Sequence, residues 1–139
     1  TSAVAGQVRL SPVQLHGDDP PAYAAALAWP VLRSVTVDSA RAASEAWTPE
    51  TTLLVDAADP ERRGGTGVTV DWIEAAALAR QRRIVLAGGL TPANVANAIE
   101  TVHPYGVDVS SGVEEAPGVK DLDKVARFLE QAREAFEKA

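Results

Sequence analysis

Gly88-Gly89 stands directly before Leu90-Thr91-Pro92, and Ser110-Ser111-Gly112 follows farther along the chain. Glycines let a backbone approach an anion closely, and the first N–H groups of a helix point at it with a favourable dipole. Small residues in the second segment expose further N–H groups, so the two could grip a phosphate with backbone amides and no lysine. The glycine pair also reads as a plain tight turn. Asp56 closes the apolar run Thr51 to Ala57. A carboxylate there either serves a turn or helix cap, or works as an acid/base whose pKa partial burial would raise. His16 reads equally as a ligand contact or a turn histidine, and Arg33 and Asp108 lie in or close β-branched segments. Gly64-Gly65-Thr66-Gly67 lacks the glycine-lysine-serine/threonine pattern of a P-loop. It reads as a mobile loop able to close over a small ligand, or as a flexible connector. His103, before Pro104, reads as a loop residue, and Glu114 as a solvated carboxylate or one that orients the Ser110 loop.

The elements that must position these residues alternate between two patterns. Pro12 to His16, Val31 to Val37, Thr51 to Ala57, Arg83 to Ala87 and Tyr105 to Ser110 are short apolar or β-branched runs and predict strands. Between them lie helical patterns. One starts at Asp18-Asp19-Pro20-Pro21 with an acidic cap, and an alanine-rich one spans Ser39 to Trp47. A third runs from Val70 to Arg80 with Ile73, Ala76, Ala77 and Arg80 on one stripe. A fourth is capped by Thr91 with Pro92 at its first position. The last is capped by Asp121 and carries the stripe Leu122, Val125, Ala126, Leu129 and Phe136. Trp29, Trp47 and Trp72 read as packing residues. Strand–helix alternation with short loops implies βαβ units and a parallel sheet. An open doubly wound sheet and a closed (β/α)8 barrel compete. Five strands suffice for the former, while a whole barrel needs roughly 200 residues or more. In both, chemistry gathers at the C-terminal ends of strands, where His16, Arg33, Asp56, Gly88-Gly89 and Asp108 to Gly112 fall. Two adjacent small-residue loops of this kind form the phosphate grip of many barrels.

The chain has 139 residues, which fits a single domain spanning 1–139. Its formal charge of -6 argues against a nucleic-acid partner, which demands a basic face. Ala22 to Leu32, the longest uncharged apolar stretch, is shorter than the ~20 residues a membrane span needs. Neither a signal peptide nor a polybasic tail is visible, so the expected location is cytoplasmic. Zero cysteines exclude disulfides and thiolate chemistry within these residues, and two histidines make a histidine-rich metal site an unfavoured reading. Thr1 in place of a start methionine, with no methionine elsewhere, points to a processed, engineered or partial polypeptide.

Several strings occur together in a known order: Val13-Gln14-Leu15-His16-Gly17, Leu54-Val55-Asp56, Gly64-Gly65-Thr66-Gly67, Ile84 to Val95, and Asp108-Val109-Ser110-Ser111-Gly112-Val113-Glu114 followed by Glu115 to Asp121. In these motifs the sequence resembles phosphoribosylanthranilate isomerase of tryptophan biosynthesis. The resemblance implies a (β/α)8 barrel that converts N-(5-phosphoribosyl)anthranilate to 1-(2-carboxyphenylamino)-1-deoxyribulose 5-phosphate by an Amadori rearrangement. This is an aldose–ketose isomerisation by general acid/base catalysis, with no metal or cofactor. It implies Asp56 as general acid, with the loops at Gly88, Gly89, Ser110, Ser111 and Gly112 holding the phosphate. His16, Arg33 and Asp108 would bind the rest of the substrate, and Gly64, Gly65, Thr66 and Gly67 would form the loop after strand 6.

The departures are specific. The family's general base is a cysteine ending the first strand, and this chain has none. The arginine expected after the second strand is also missing. Aligned by its motifs, the chain is expected to carry strands 4–8 of the barrel with their helices, with Thr1 to Ser11 as the remnant of the third helix. A partial barrel has raw edges at strands 4 and 8 and would self-associate or pair with a complementary N-terminal segment. Two alternative functions are a non-catalytic phosphate-binding barrel fragment and another phosphate-sugar barrel enzyme. The strings around His16 and Ser110 argue against the latter.

Overall fold

In the computed structural model, residues 12–57 and 70–139 are described. Val13–Leu15 (β1), Val31–Thr36 (β2), Thr52–Asp56 (β3), Ile84–Ala87 (β4) and Gly106–Val107 (β5) form one sheet. All neighbours are parallel and the order is β1-β2-β3-β4-β5. That order never reverses. A doubly wound sheet requires a reversal, because its helices must cover both faces. Successive right-handed crossovers in one direction instead place every helix on the same side. The doubly wound alternative is therefore excluded for these strands, which form a singly wound parallel sheet.

The helices obey this geometry. Pro21–Ala25 (α1), Val37–Ala46 (α2), Val70–Ala79 (α3), Val95–Val102 (α4) and Leu122–Lys138 (α5) connect or follow the strands. Neighbours α2 and α3, α3 and α4, and α4 and α5 pack side by side as one layer. Between that layer and the sheet lies the core. Leu53, Val55, Ile84 and Leu86 are fully buried there, with Val95, Ala98 and Ile99 of α4 beneath them. Strand alternation sends Leu54, Asp56, Val85 and Ala87 to the opposite face. A second, smaller cluster of Val13, Leu15 and Trp47 closes the β1 end. Trp72 is also buried, and Trp29 packs against the smaller cluster.

Several helix expectations shift. The first helix has Pro20 at its N-cap with no side-chain cap, so the acidic pair Asp18-Asp19 lies outside it. In α3 the buried face is Trp72, Ala75 and Leu78, while Ile73 is 61% exposed. Alanines surround this helix, so periodicity leaves its rotation open and the one large ring decides it. In α5 the buried face is Phe128, Ala132 and Ala135, while Leu122, Leu129 and Phe136 of the expected stripe are exposed. The face packed on α4 decides this. The cap at Asp121 forms as expected: its carboxylate accepts the Asp123 and Lys124 N–H groups, both at 3.0 Å. Beyond β5 the chain makes a 3-10 turn at Ser111–Val113 and a hairpin of Glu114–Ala116 (β6) and Val119–Lys120 (β7).

Candidate active site

The sheet delivers its chemistry at the C-terminal ends of the strands. Register places Thr36 beside Asp56 and Asp56 beside Ala87. The Asp108 N–H continues the pairing by donating to the Leu86 carbonyl at 2.9 Å. These ends open into one cavity of about 720 Å³. His16, Arg33, Asp56, Gly88, Gly89, Asp108, Ser110, Ser111 and Gly112 all line it. Gly64 to Gly67 lie outside the described residues.

The two glycine-bearing loops are locked against each other. Gly88 and Gly89 have φ of 89° and 59°, the left-handed region that side chains avoid. A Cβ added to Gly112 would stand 1.8 Å from the Leu90 carbonyl oxygen. Only glycine lets the second loop lie directly on the first. The first loop is braced by Asn94, which sequence reasoning missed. Its carboxamide accepts the Thr91 N–H at 2.8 Å and donates to the Gly89 carbonyl at 3.0 Å. The helix accordingly begins at Val95 with Asn94 as N-cap residue, and Thr91 does not cap it with its side chain. An amide carries a donor and an acceptor at once, so it suits both jobs where a hydroxyl would be stretched. The signal was the Asn94 position, three residues after Thr91.

Asp56 is exposed at the end of β3. His16 and Asp108 are exposed at the same opening. Arg33 sits differently. Its register partners are Leu15 and Leu53, both buried on the helix side. From there its guanidinium packs over the Trp47 ring, 5.2 Å from the centroid, and donates to the Gly17 carbonyl. It thus reaches the cavity wall by holding the turn after His16. Gln14 and Ser34 also line the opening, joined at 2.7 Å from Gln14 Nε2 to Ser34 Oγ. His103 is remote from the cavity lining and adopts a left-handed φ of 51° as the C-cap of α4. Among the described residues no group of three or more His, Asp or Glu side chains could hold a metal ion.

Comparison with known proteins adds independent evidence. The family model described as N-(5'phosphoribosyl)anthranilate (PRA) isomerase matches residues 2–131. The chain is similar to the N-(5'-phosphoribosyl)anthranilate isomerase of Roseiflexus sp. (strain RS-1), with 52% identity over 91% of this chain and 61% of that protein. It is similar in structure to phosphoribosyl anthranilate isomerase from Thermotoga maritima, with TM-score 0.78 and 40% identity over 95% of this chain and 66% of that one. A phosphoribosyl anthranilate isomerase in complex with reduced 1-(o-carboxyphenylamino)-1-deoxyribulose 5-phosphate gives TM-score 0.76 and 37% identity, over 95% of this chain and 64% of that one. The chain thus spans 61% of the length of the Roseiflexus relative. With its parallel five-strand wall, its linked glycine loops and a family match over nearly all of its length, the chain belongs to the N-(5'-phosphoribosyl)anthranilate isomerase family.

Proposed function

We propose that these residues form strands 4–8 of a (β/α)8 barrel, as one domain, and that the assembled barrel performs the Amadori rearrangement of N-(5-phosphoribosyl)anthranilate. The observation that carries the reading is the single opening shared by Asp56 and the two linked glycine loops. The loops bind the substrate phosphate through backbone N–H groups of the Gly88-Gly89 and Ser110-Ser111-Gly112 segments. This leaves the ribose over the end of β3. Asp56 donates a proton to the ring oxygen and opens the ring to a Schiff base. A base then removes the proton on the adjacent carbon, and the enolamine tautomerises to the ketone. His16 and Asp108 border the sugar and anthranilate, while Arg33 holds the Gly17 turn beside them. The location is the cytoplasm, as the metabolic role requires. No helix among the described residues is long and apolar enough to cross a membrane.

The base belongs to the first strand by the family resemblance, as a cysteine, and no cysteine occurs in these 139 residues. This favours a second reading for the chain taken alone: it binds phosphate esters without turning them over. Loss of a general base costs roughly 100- to 10,000-fold. The test is an isomerase assay on the chain with and without a polypeptide carrying the first three βα units of a relative. Turnover is expected only for the pair. In that assembly Asp56→Asn abolishes turnover and leaves product-analogue affinity within a few-fold. Retained turnover would remove Asp56 from the acid role.

A further inference from the structure

Lys120 does not line the cavity, yet it ties down the loop that does. In the β6–β7 hairpin Glu114 pairs with Lys120. The Lys120 ammonium donates to Glu114 Oε1 at 2.8 Å and to the Ser110 carbonyl at 2.9 Å. The Glu114 carboxylate also accepts a hydrogen bond from the Gly118 N–H. Lys124 Nζ donates to the Glu114 carbonyl at 2.6 Å, and the Asp121 N–H donates to the Val113 carbonyl at 2.9 Å. A ring therefore runs from Ser110 through the 3-10 turn and the hairpin, and Lys120 closes it.

The consequence lies in one peptide unit. The Ser110 carbonyl and the Ser111 N–H share a planar trans peptide and point in opposite directions. Holding the carbonyl towards the Lys120 ammonium turns the Ser111 N–H away from it, and Ser110, Ser111 and Gly112 border the cavity. We infer that Lys120 is a positioning residue for the phosphate cup, acting through the Ser110–Ser111 peptide, with Glu114 holding its ammonium in place. This rests on the phosphate reading above. The ammonium directs two of its three N–H groups to the loop and stands outside the cavity lining, so it serves the loop. Its side chain is 44% exposed and that of Glu114 16%, so the pair meets solvent on the lysine side, where ion pairs add little to stability. The effect therefore falls on binding more than on folding.

The test is a titration of the chain with inorganic phosphate, followed by the backbone amide signals of Gly89, Ser111 and Gly112. In the wild type these signals shift with phosphate. In Lys120→Met the Ser111 signal is displaced before any phosphate is added, affinity falls about tenfold, and the melting temperature stays close to wild type. Lys120→Arg recovers most of the affinity, since its guanidinium can donate to the same two acceptors. In the assembled enzyme K120M raises KM and leaves kcat nearly unchanged, because phosphate contacts are shared by substrate and transition state. Wild-type amides that ignore phosphate would remove the phosphate reading and this inference with it. Wild-type binding with an unaltered K120M would remove the inference alone. A K120M protein that loses its fold, or a K120R protein as weak as K120M, would also overturn it.

Discussion

Gly112 and Glu114 show how single residues set the geometry of the cup. At Gly112 any side chain meets the Leu90 carbonyl, with a Cβ at 1.8 Å from its oxygen and 2.9 Å from its carbon. Backbone cannot swing aside as a flexible side chain could. Gly112→Ala is therefore expected to destabilise the chain by about 1–3 kcal/mol, the range for inserting atoms into a packed site. It should also weaken phosphate binding, and urea unfolding and phosphate titration check the two effects separately. At Glu114 the Lys120 hydrogen bond, then the Gly118 N–H and the Lys120 charge, hold the carboxylate below its ordinary range against an opposing effect of desolvation. A carboxylate lowered on folding stabilises the fold above its unfolded pKa, and that contribution fades as pH falls through the folded value. The hairpin should thus stay closed through neutral pH and loosen below the usual carboxylate range. Faster amide exchange at Gly118 in acid would report it, and Glu114→Gln should remove most of the pH dependence.

Elements are joined at the opposite end of the sheet by Arg82. Its guanidinium donates to the carbonyls of Ser44, Trp47, Thr48 and Thr51, at 3.1, 3.3, 2.7 and 2.5 Å. These carbonyls belong to the end of α2 and the connection into β3. Arg82 itself precedes β4. One planar fork therefore satisfies acceptors that a helix C-terminus leaves open. Arg82→Met is expected to cost about 2–4 kcal/mol, since charged hydrogen bonds contribute more than neutral ones and their loss strands the carbonyls. Arg82→Lys should recover only part, because an ammonium cannot reproduce the fork. Thermal unfolding of the two variants measures both. The catalytic reading predicts no direct change in phosphate affinity, as Arg82 lies outside the cavity lining.

The whole molecule presents a wall whose helices lie in one layer and whose sheet ends at β1 and β5. Leu122, Leu129 and Phe136 repeat every seven residues along α5 and are 79%, 51% and 38% exposed. In the proposed closed barrel, the first βα units complete the wall beside this face. Replacing Leu129 and Phe136 together by Lys is expected to alter the stability of the chain by about 0.5 kcal/mol or less per site, as at other exposed positions. The same pair should weaken assembly with a polypeptide supplying those units. Sedimentation velocity on the mixture, with unfolding of the chain alone as control, distinguishes the two effects. Equal assembly by the variant would show that this face stays uncovered in the barrel.

The order of the strands' apolar runs, the acidic cap at Asp121 and the cluster of candidate groups at strand ends were legible in the sequence. These depend on local preference and on the period-2 pattern of a buried strand. The fifth strand is shorter than the run from Tyr105 to Ser110, because the chain turns into the cup after the sheet bond from the Asp108 N–H to the Leu86 carbonyl. Helix rotation was not legible in α3 and α5, since apolar residues ring the former and packing on α4 selects the face of the latter. The braces at Lys120 and Arg82 were hidden, and that at Asn94 showed only in its spacing from Thr91. Each joins backbone groups whose direction exists only once the loops are folded. Arg33 illustrates the division most plainly. The expected strand-end position made it a candidate ligand, but Arg33 lies within β2 (Val31–Thr36), and sheet register turns it towards Trp47 and the Gly17 carbonyl. Sequence by itself determined which residues reach the mouth of the wall, because strand ends follow from local pattern. Tertiary structure alone decided which residues face the opening and which hold it in shape, because that depends on register and on contacts between distant segments.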